Sequence, residues 1–409
     1  MLAAGPARSG CEVADILRAH GRDYQMTHPM PSSHTREVSA LLSCRTEDLG
    51  GRIERCDRCG FERALYNSCR NRHCPKCQGM AKARWLDARK DELLPVGYFH
   101  AVFTLPHEIN PVVQCNKREL YSLLFKTVSE TLARFGGNKR NGLGGKLGFI
   151  LILHTWSQVL LDHYHLHCVI PAGALSHDGL RWIAARKRFL FPVRALSKVF
   201  RGMFIELLEQ AYREGELIFP GGTAHLGTLP GFRKLVGKLR SSSWVVYSKK
   251  PFAGPEAVLD YLGRYTHRVA ISNHRLIGMR DGKVSFSFKD RSEMGVRKVM
   301  AIDAEEFIRR FLLHVLPGGF MRIRHYGFLA NRSKKQDLQR IREILRRTGR
   351  EAHAREESTP ALMLRLTGID VTQCPSCRTG TMHLIAEISN ETAGSLPPAP
   401  GRPARVNSS

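Results

Sequence analysis

The sequence predicts an α+β protein in which a small zinc-binding module precedes a larger mixed domain. Two observations carry this reading. Cys56-x2-Cys59 and Cys74-x2-Cys77 stand 14 residues apart, close to the spacing of a four-cysteine zinc site. From Tyr98 onward, strand-like and helix-like segments alternate over about 230 residues, the pattern of a single α+β core. A composition of 43% hydrophobic and 24% charged residues is that of a globular chain, which excludes wholesale disorder and fibrous repeats.

The elements follow in chain order. Ser9 and Glu12 form a capping-box pair ahead of Val13, Ile16 and Leu17, with Gly21 as the expected stop. The cysteine cluster spans 56–77 and leads into a helix around Met80–Leu94, rich in Lys and Arg; Pro95 and Gly97 then close an N-terminal unit, residues 1–95. In the second unit, 98–330, strands are expected at 100–105, 148–157, 164–171, 244–248 and 283–289. Helices are expected at 118–135, 197–214, from Pro255, and at 304–316. A basic amphipathic helix over 333–347, with Leu338, Ile341 and Leu345 on one face, opens a C-terminal unit, 331–386. Residues 387–409 carry four prolines and no aromatic residue, and are expected to be disordered.

Charge narrows the partner. Lys and Arg number 63 against 37 Asp and Glu, a net +26, which points to a polyanion and, in a chain of this class, to nucleic acid. The stretch 331–355 alone holds nine basic residues against three acidic ones, suiting a phosphate-facing surface. The longest apolar run, Leu147 to Leu153, is too short to cross a bilayer, and the N-terminus has no leader pattern; the expectation is a cytoplasmic protein without membrane contact. Eleven cysteines, an odd number in tight clusters, read as metal ligands rather than a disulfide framework.

Cys56, Cys59, Cys74 and Cys77 are the expected structural zinc ligands, two knuckles completing one tetrahedron, with Cys69 and His73 as spare donors that leave the ligand set open. Gly60 allows the turn that the first knuckle needs. Arg52, Arg55, Arg58, Arg63, Arg70 and Arg72 surround the module and suit DNA. Cys374-x2-Cys377 has no second pair downstream; it is either half a site that borrows ligands from elsewhere or a simple turn.

His163, His165 and His167 alternate along one strand and so share a face, with Leu166, Cys168 and Ile170 on the buried side. Imidazoles at period two begin a metal site with an open side, for which Gln158 or His154 on the preceding strand could supply a third ligand. Pro255–Arg268 reads as a helix on which Tyr261 and Tyr265, four apart, present both hydroxyls on one face. A tyrosine attacking a metal-polarised phosphodiester would become a covalent phosphotyrosine, with Arg264, His267 and Arg268 placed to hold neighbouring phosphates.

Together, these residues resemble a known family. His165-Leu166-His167 resembles the HUH motif of single-strand DNA endonucleases, and Tyr261-x3-Tyr265 its paired-tyrosine helix. More narrowly, the chain resembles the rolling-circle insertion-sequence transposases of the IS91 group. The likeness runs through Cys56–Gly60, Tyr66–Gln78, Phe103–Pro106, Leu153–Trp156, Tyr265–Ser272 and Arg322–Gly327, covering about residues 10–330. The resemblance implies an antiparallel sheet flanked by helices, with the HUH strand beside the tyrosine helix. It implies a bacterial element's transposase, bound to the nucleoid when on DNA, that nicks and rejoins single-stranded DNA at element ends and target. His165 and His167, with Gln158 or His154, would hold Mg²⁺ or Mn²⁺. No Walker loop is present and none is needed, because a phosphotyrosine ester conserves the bond energy. A plasmid relaxase or replication initiator shares the histidines and tyrosine but lacks the zinc module's pattern; a zinc-dependent DNA-binding regulator would use the histidine strand only structurally.

Overall fold

The computed structural model describes residues 10–141, 143–185, 190–252, 257–258, 263, 269–290, 293–345 and 357–390. Thirteen strands are described: β1 Gly51–Cys56, β2 Glu62–Tyr66, β3 Tyr98–Thr104, β4 Gly148–Trp156, β5 Asp162–Pro171, β6 Gly173–Leu175, β7 Trp182–Ala184, β8 Val246–Phe252, β9 Leu276–Arg280, β10 Lys283–Asp290, β11 Val296–Asp303, β12 Ile323–Gly327 and β13 Met382–Ile388. They confirm the α+β class, with antiparallel sheets flanked by helices.

The central sheet runs β12-β4-β5-β3-β8 and is antiparallel throughout. Period-two alternation decides its two faces. Phe99, Ala101 and Phe103 of β3, Phe149, Leu151 and Leu153 of β4, and Tyr164, Leu166, Cys168 and Ile170 of β5 point into one core. That core is closed by the helices Lys117–Gly137, Val193–Arg213 and Leu229–Ser241, whose Leu124, Phe125, Phe200, Phe204 and Leu239 are fully buried. Burying each such side chain is worth about 1.5–3 kcal/mol. On the opposite face Tyr98, Ile150, Ile152 and Val169 pack with Leu94, Val258, Phe328, Leu338 and Ile341. The basic helix, Lys334–Ile344, therefore seats the Leu338–Ile341 side of its predicted apolar face on this sheet rather than standing in a separate unit.

Gly327 ends β12 at φ +62°, and a Cβ there would lie 1.5 Å from the Leu147 carbonyl oxygen. The expected result for Gly327→Ala is a loss of about 2 kcal/mol or more, read by denaturant unfolding.

The N-terminal helix is Val13–Thr27. Its cap lies one residue set later than Ser9–Glu12: the Glu12 N–H donates to Asp15 Oδ2 at 2.9 Å, and Gly21 falls inside the helix. Val13, Ile16, Leu17 and Tyr24 bury against Phe286 of β10 and Phe307 and Phe311 of the helix Ala304–Leu313, which packs on the sheet β9-β10-β11. The expected 1–95 unit thus shares a core with residues 270–315. A third sheet, β13-β1-β2, joins the C-terminal segment to the N-terminal cysteine region. Strand β13 reaches Ile388, so the expected disorder does not begin at 387; residues 391–409 lie outside the described set. No described helix is long and apolar enough to cross a membrane.

Candidate metal centre on the central sheet

Strand register builds this site. His154 of β4 stands directly opposite His165 of β5, and Ile152 stands opposite His167. All three histidines project to the face that carries Ile150 and Val169, and each is buried to within 7% exposure, so their shared polarity must be satisfied locally. One ring nitrogen from each lies within 4.8 Å of the others. The Nε2 atoms of His165 and His167 are 3.1 Å apart.

Neighbours set the tautomers. His165 Nδ1 lies 2.7 Å from the His163 carbonyl oxygen, which can only accept, so Nδ1 carries the proton and Nε2 presents a lone pair to the centre. His167 Nδ1 faces His100 Nε2 at 3.0 Å; with His167 Nε2 turned inward, Nδ1–H donates to His100. The Trp156 ring stacks on His154 with centroids 4.9 Å apart and steadies it. The next residue, Thr155, meets buried His314 Nδ1 at 3.3 Å, and His314 Nε2–H donates to the Leu160 carbonyl at 3.0 Å. Burial lowers the His314 pKa to about 4, so this imidazole stays neutral and pins the end of β4. Donors that converge from two rigid strands, with protons held on the far nitrogens, fit a divalent ion. His100→Ala should weaken ion binding 10- to 100-fold, read by Mn²⁺ titration.

The centre opens on a cleft of about 720 Å³, walled by His100, Thr104, His107, His165, His167 and Tyr247. Gln158, expected as the third ligand if His154 is not, lies beyond the end of β4. Strand β4 ends at Trp156, and a turn from Ser157 to Leu161 carries Gln158, whose carbonyl oxygen accepts from Arg275. Cross-strand pairing, which the sequence pattern alone does not register, brings His154 to His165 and His167. Tyr261, Tyr265, Arg264, His267 and Arg268 lie outside the described residues.

The cysteines expected to form one zinc site divide between two clusters. Cys74 and Cys77 meet Cys44 and Cys69, and Cys56 and Cys59 meet Cys374 and Cys377. In the first cluster, Sγ separations are 3.5 Å for Cys44–Cys77, 3.6 Å for Cys69–Cys77 and 3.6 Å for Cys44–Cys74. Zinc–sulfur bonds of ~2.3 Å give tetrahedral edges of ~3.8 Å, so these thiols fit one ion, held as thiolates. The correction has a physical cause: β1 and β2 form a hairpin that carries Cys56 and Cys59 away from Cys74, while the helix Ser32–Leu42 delivers Cys44. His73 is not a ligand of either cluster; buried, it accepts from the Leu316 N–H at 3.4 Å. Four of the surrounding arginines also have structural partners. Arg52 and Arg63 pair with Glu54, Arg55 pairs with Glu62, and Arg72 donates to the Phe320 carbonyl.

Comparison with known proteins agrees with this architecture. Residues 16–105 match a family model described as "Transposase zinc-binding domain", and residues 148–337 match one described as "Putative transposase". The first span contains the whole Cys44–Cys69–Cys74–Cys77 cluster, and the second contains all three clustered histidines. The chain is 49% identical over 385 residues to "Putative transposase y4qJ" of Sinorhizobium fredii, covering 93% of this chain and 96% of that one. It is 29% identical over 313 residues to the "Transposase for insertion sequence element IS801" of Pseudomonas savastanoi pv. phaseolicola, covering 76% of this chain and 73% of that one. No solved structure matches. With 49% identity over 93% of the chain and both domains in place, the chain belongs to the IS91-type insertion-sequence transposases, DNA strand-transfer enzymes with an N-terminal zinc-binding domain.

Proposed function

We propose that this transposase cuts and rejoins single-stranded DNA at the ends of an insertion sequence through a 5′-phosphotyrosine intermediate, in rolling-circle transposition. The observation that carries the reading is the convergence of His154, His165 and His167, the last two of which line an open cleft. A divalent ion held by these imidazoles would polarise the scissile phosphate. Three nitrogen ligands favour Mn²⁺ over Mg²⁺.

The tyrosine hydroxyl, either Tyr261 or Tyr265, gives up its proton as its oxygen bonds to phosphorus. The 3′ oxygen leaves and takes a proton, so a 5′-phosphotyrosine ester and a 3′-hydroxyl result. A 3′-hydroxyl later attacks that ester and frees the tyrosine, which needs no ATP. Arg264, His267 and Arg268 hold adjacent phosphates. Two tyrosines let one centre process two strand ends. Described residues on either side of Tyr261 support the tyrosines as candidates: Val258 is buried with Tyr98, Ile150 and Val169 on the histidine-bearing face, and a Cβ on Gly263 would sit 3.0 Å from Leu86 of the helix Gln78–Lys90. The site of action is the bacterial cytoplasm, at the nucleoid.

The test uses labelled single strands from element ends with Mn²⁺ on a denaturing gel. Tyr261→Phe and Tyr265→Phe singly should each impair transposition, and the double substitution should remove the covalent band. A band that persists in the double variant contradicts the tyrosine assignment. Binding without any adduct, across a set of end sequences, would favour a non-catalytic DNA-binding regulator.

A further inference from the structure

We infer that the chain holds a second structural zinc ion, bound by Cys56, Cys59, Cys374 and Cys377, which fastens the C-terminal segment to the N-terminal domain. Half of this site lies far outside the matched zinc-binding region, at residues 16–105. Cys56 and Cys377 Sγ are 3.7 Å apart, as are Cys59 and Cys374 Sγ, close to the ~3.8 Å edge of a zinc tetrathiolate. A disulfide would need ~2.05 Å.

The two knuckles repeat one backbone design. The Gly60 N–H donates to the Cys56 carbonyl at 3.2 Å, and the Arg378 N–H donates to the Cys374 carbonyl at 3.0 Å. The residue after each second cysteine is left-handed, Gly60 at φ +71° and Arg378 at φ +58°. An arginine rarely adopts that conformation, so something must hold it. Backbone N–H groups also point at sulfur, Arg58 to Cys56 at 3.4 Å and Gly380 to Cys377 at 3.3 Å, as a bound thiolate requires.

The surrounding structure gives an independent reason. The sheet β13-β1-β2 is mostly exposed, and among the described residues its own buried apolar cluster is Cys56, Cys374 and Met382. A core this small does not hold a three-stranded sheet in water, and small modules of this kind need a metal staple. Few other contacts among the described residues tie the segment down: Leu362 is buried, Arg63 donates to the Val371 carbonyl at 2.5 Å, Arg84 to Thr359 at 2.9 Å, and Arg365 pairs with Asp87 at 2.5 Å.

The test counts zinc per full-length chain by elemental analysis. His165→Ala and His167→Ala are introduced first, so that the histidine centre adds nothing to the count. Two zinc ions per chain are expected in that background, and one after Cys374→Ser and Cys377→Ser are added. A Cys377→His variant, which keeps a ligand, should retain two and guards against a misfolded serine variant. One zinc ion before any cysteine is changed overturns the inference, as does a count of two that survives the loss of Cys374 and Cys377. Four fewer titratable thiols than the eleven of the sequence, measured after denaturation and chelation without reductant, would indicate disulfides and also overturn it.

Discussion

Replacing His165 and His167 with Ala should lower divalent-ion-dependent nicking of end-derived single strands by roughly 10³-fold or more, the scale of losing several kcal/mol of charge stabilisation. Affinity for the same strands should hardly change, because phosphate contacts elsewhere carry binding. The core beneath the centre is formed by Leu153, Leu166 and Phe103 on the other sheet face, so the substitutions should leave the fold intact. His154→Ala should act in the same way as the pair, since His154 sits opposite His165 and shares the centre. Gln158→Ala should leave nicking within a few fold, because Gln158 belongs to the turn and engages Arg275 through its backbone. A large loss in Gln158→Ala with little in His154→Ala would reverse this assignment. The readout is single-turnover nicking with Mn²⁺ in excess.

Cys44→Ser should be the most destabilising of the cysteine changes in the N-terminal half. Cys44 and Cys74 are 2% exposed and lie in the same buried cluster as Ile16, Phe286 and Phe307. Structural zinc contributes apparent binding free energies of about 10–16 kcal/mol, so weakening one of four thiolates forfeits several of these. Loss of about 3 kcal/mol would lower the thermal midpoint by roughly 3–4 °C in a chain of 409 residues. Cys11→Ser, at a partly buried position outside both clusters, should cost about 1 kcal/mol or less. Equal, small effects from the two substitutions would remove Cys44 from the ligand set. Thermal unfolding with and without a zinc chelator provides the measurement: the chelator should lower the wild-type midpoint and leave Cys44→Ser nearly unmoved.

Local chemistry was the legible part of this sequence. Period-two alternation in 163–170 placed His165 and His167 on one face and Leu166, Cys168 and Ile170 on the other, because a strand has only two sides. Helical periodicity likewise puts Leu338 and Ile341 on one apolar face. What the sequence hid is long-range pairing. Cys44, 25 residues before Cys69, has no short-spacing partner, and Cys374 joins Cys59 across 315 residues. The available clue was arithmetic: Cys44, Cys69 and the three Cys-x2-Cys pairs make two sets of four. His154 could be preferred to Gln158 only once register and the end of β4 were known. His100, which backs His167, carried no signal beyond its place on β3. The net +26 stands, but the basic residues that carry it differ: Arg52, Arg55, Arg63 and Arg72 around the module, Lys334 with Glu92 and Arg342 with the Asp91 carbonyl all have partners within the protein.

Mapping the covalent adduct tests the central claim most directly. Wild-type protein is incubated with a short end-derived single strand and Mn²⁺, digested with trypsin and nuclease, and searched for nucleotide-bearing peptides. Cleavage after Lys249, Arg264 and Arg268 separates the two tyrosines into Lys250–Arg264 and Tyr265–Arg268. The account predicts a 5′-linked nucleotide on one or both of these peptides, at Tyr261 or Tyr265, and none when His165 and His167 are Ala. Nicked strands with no modified peptide, or a nucleotide on a tyrosine elsewhere in the chain, would contradict it.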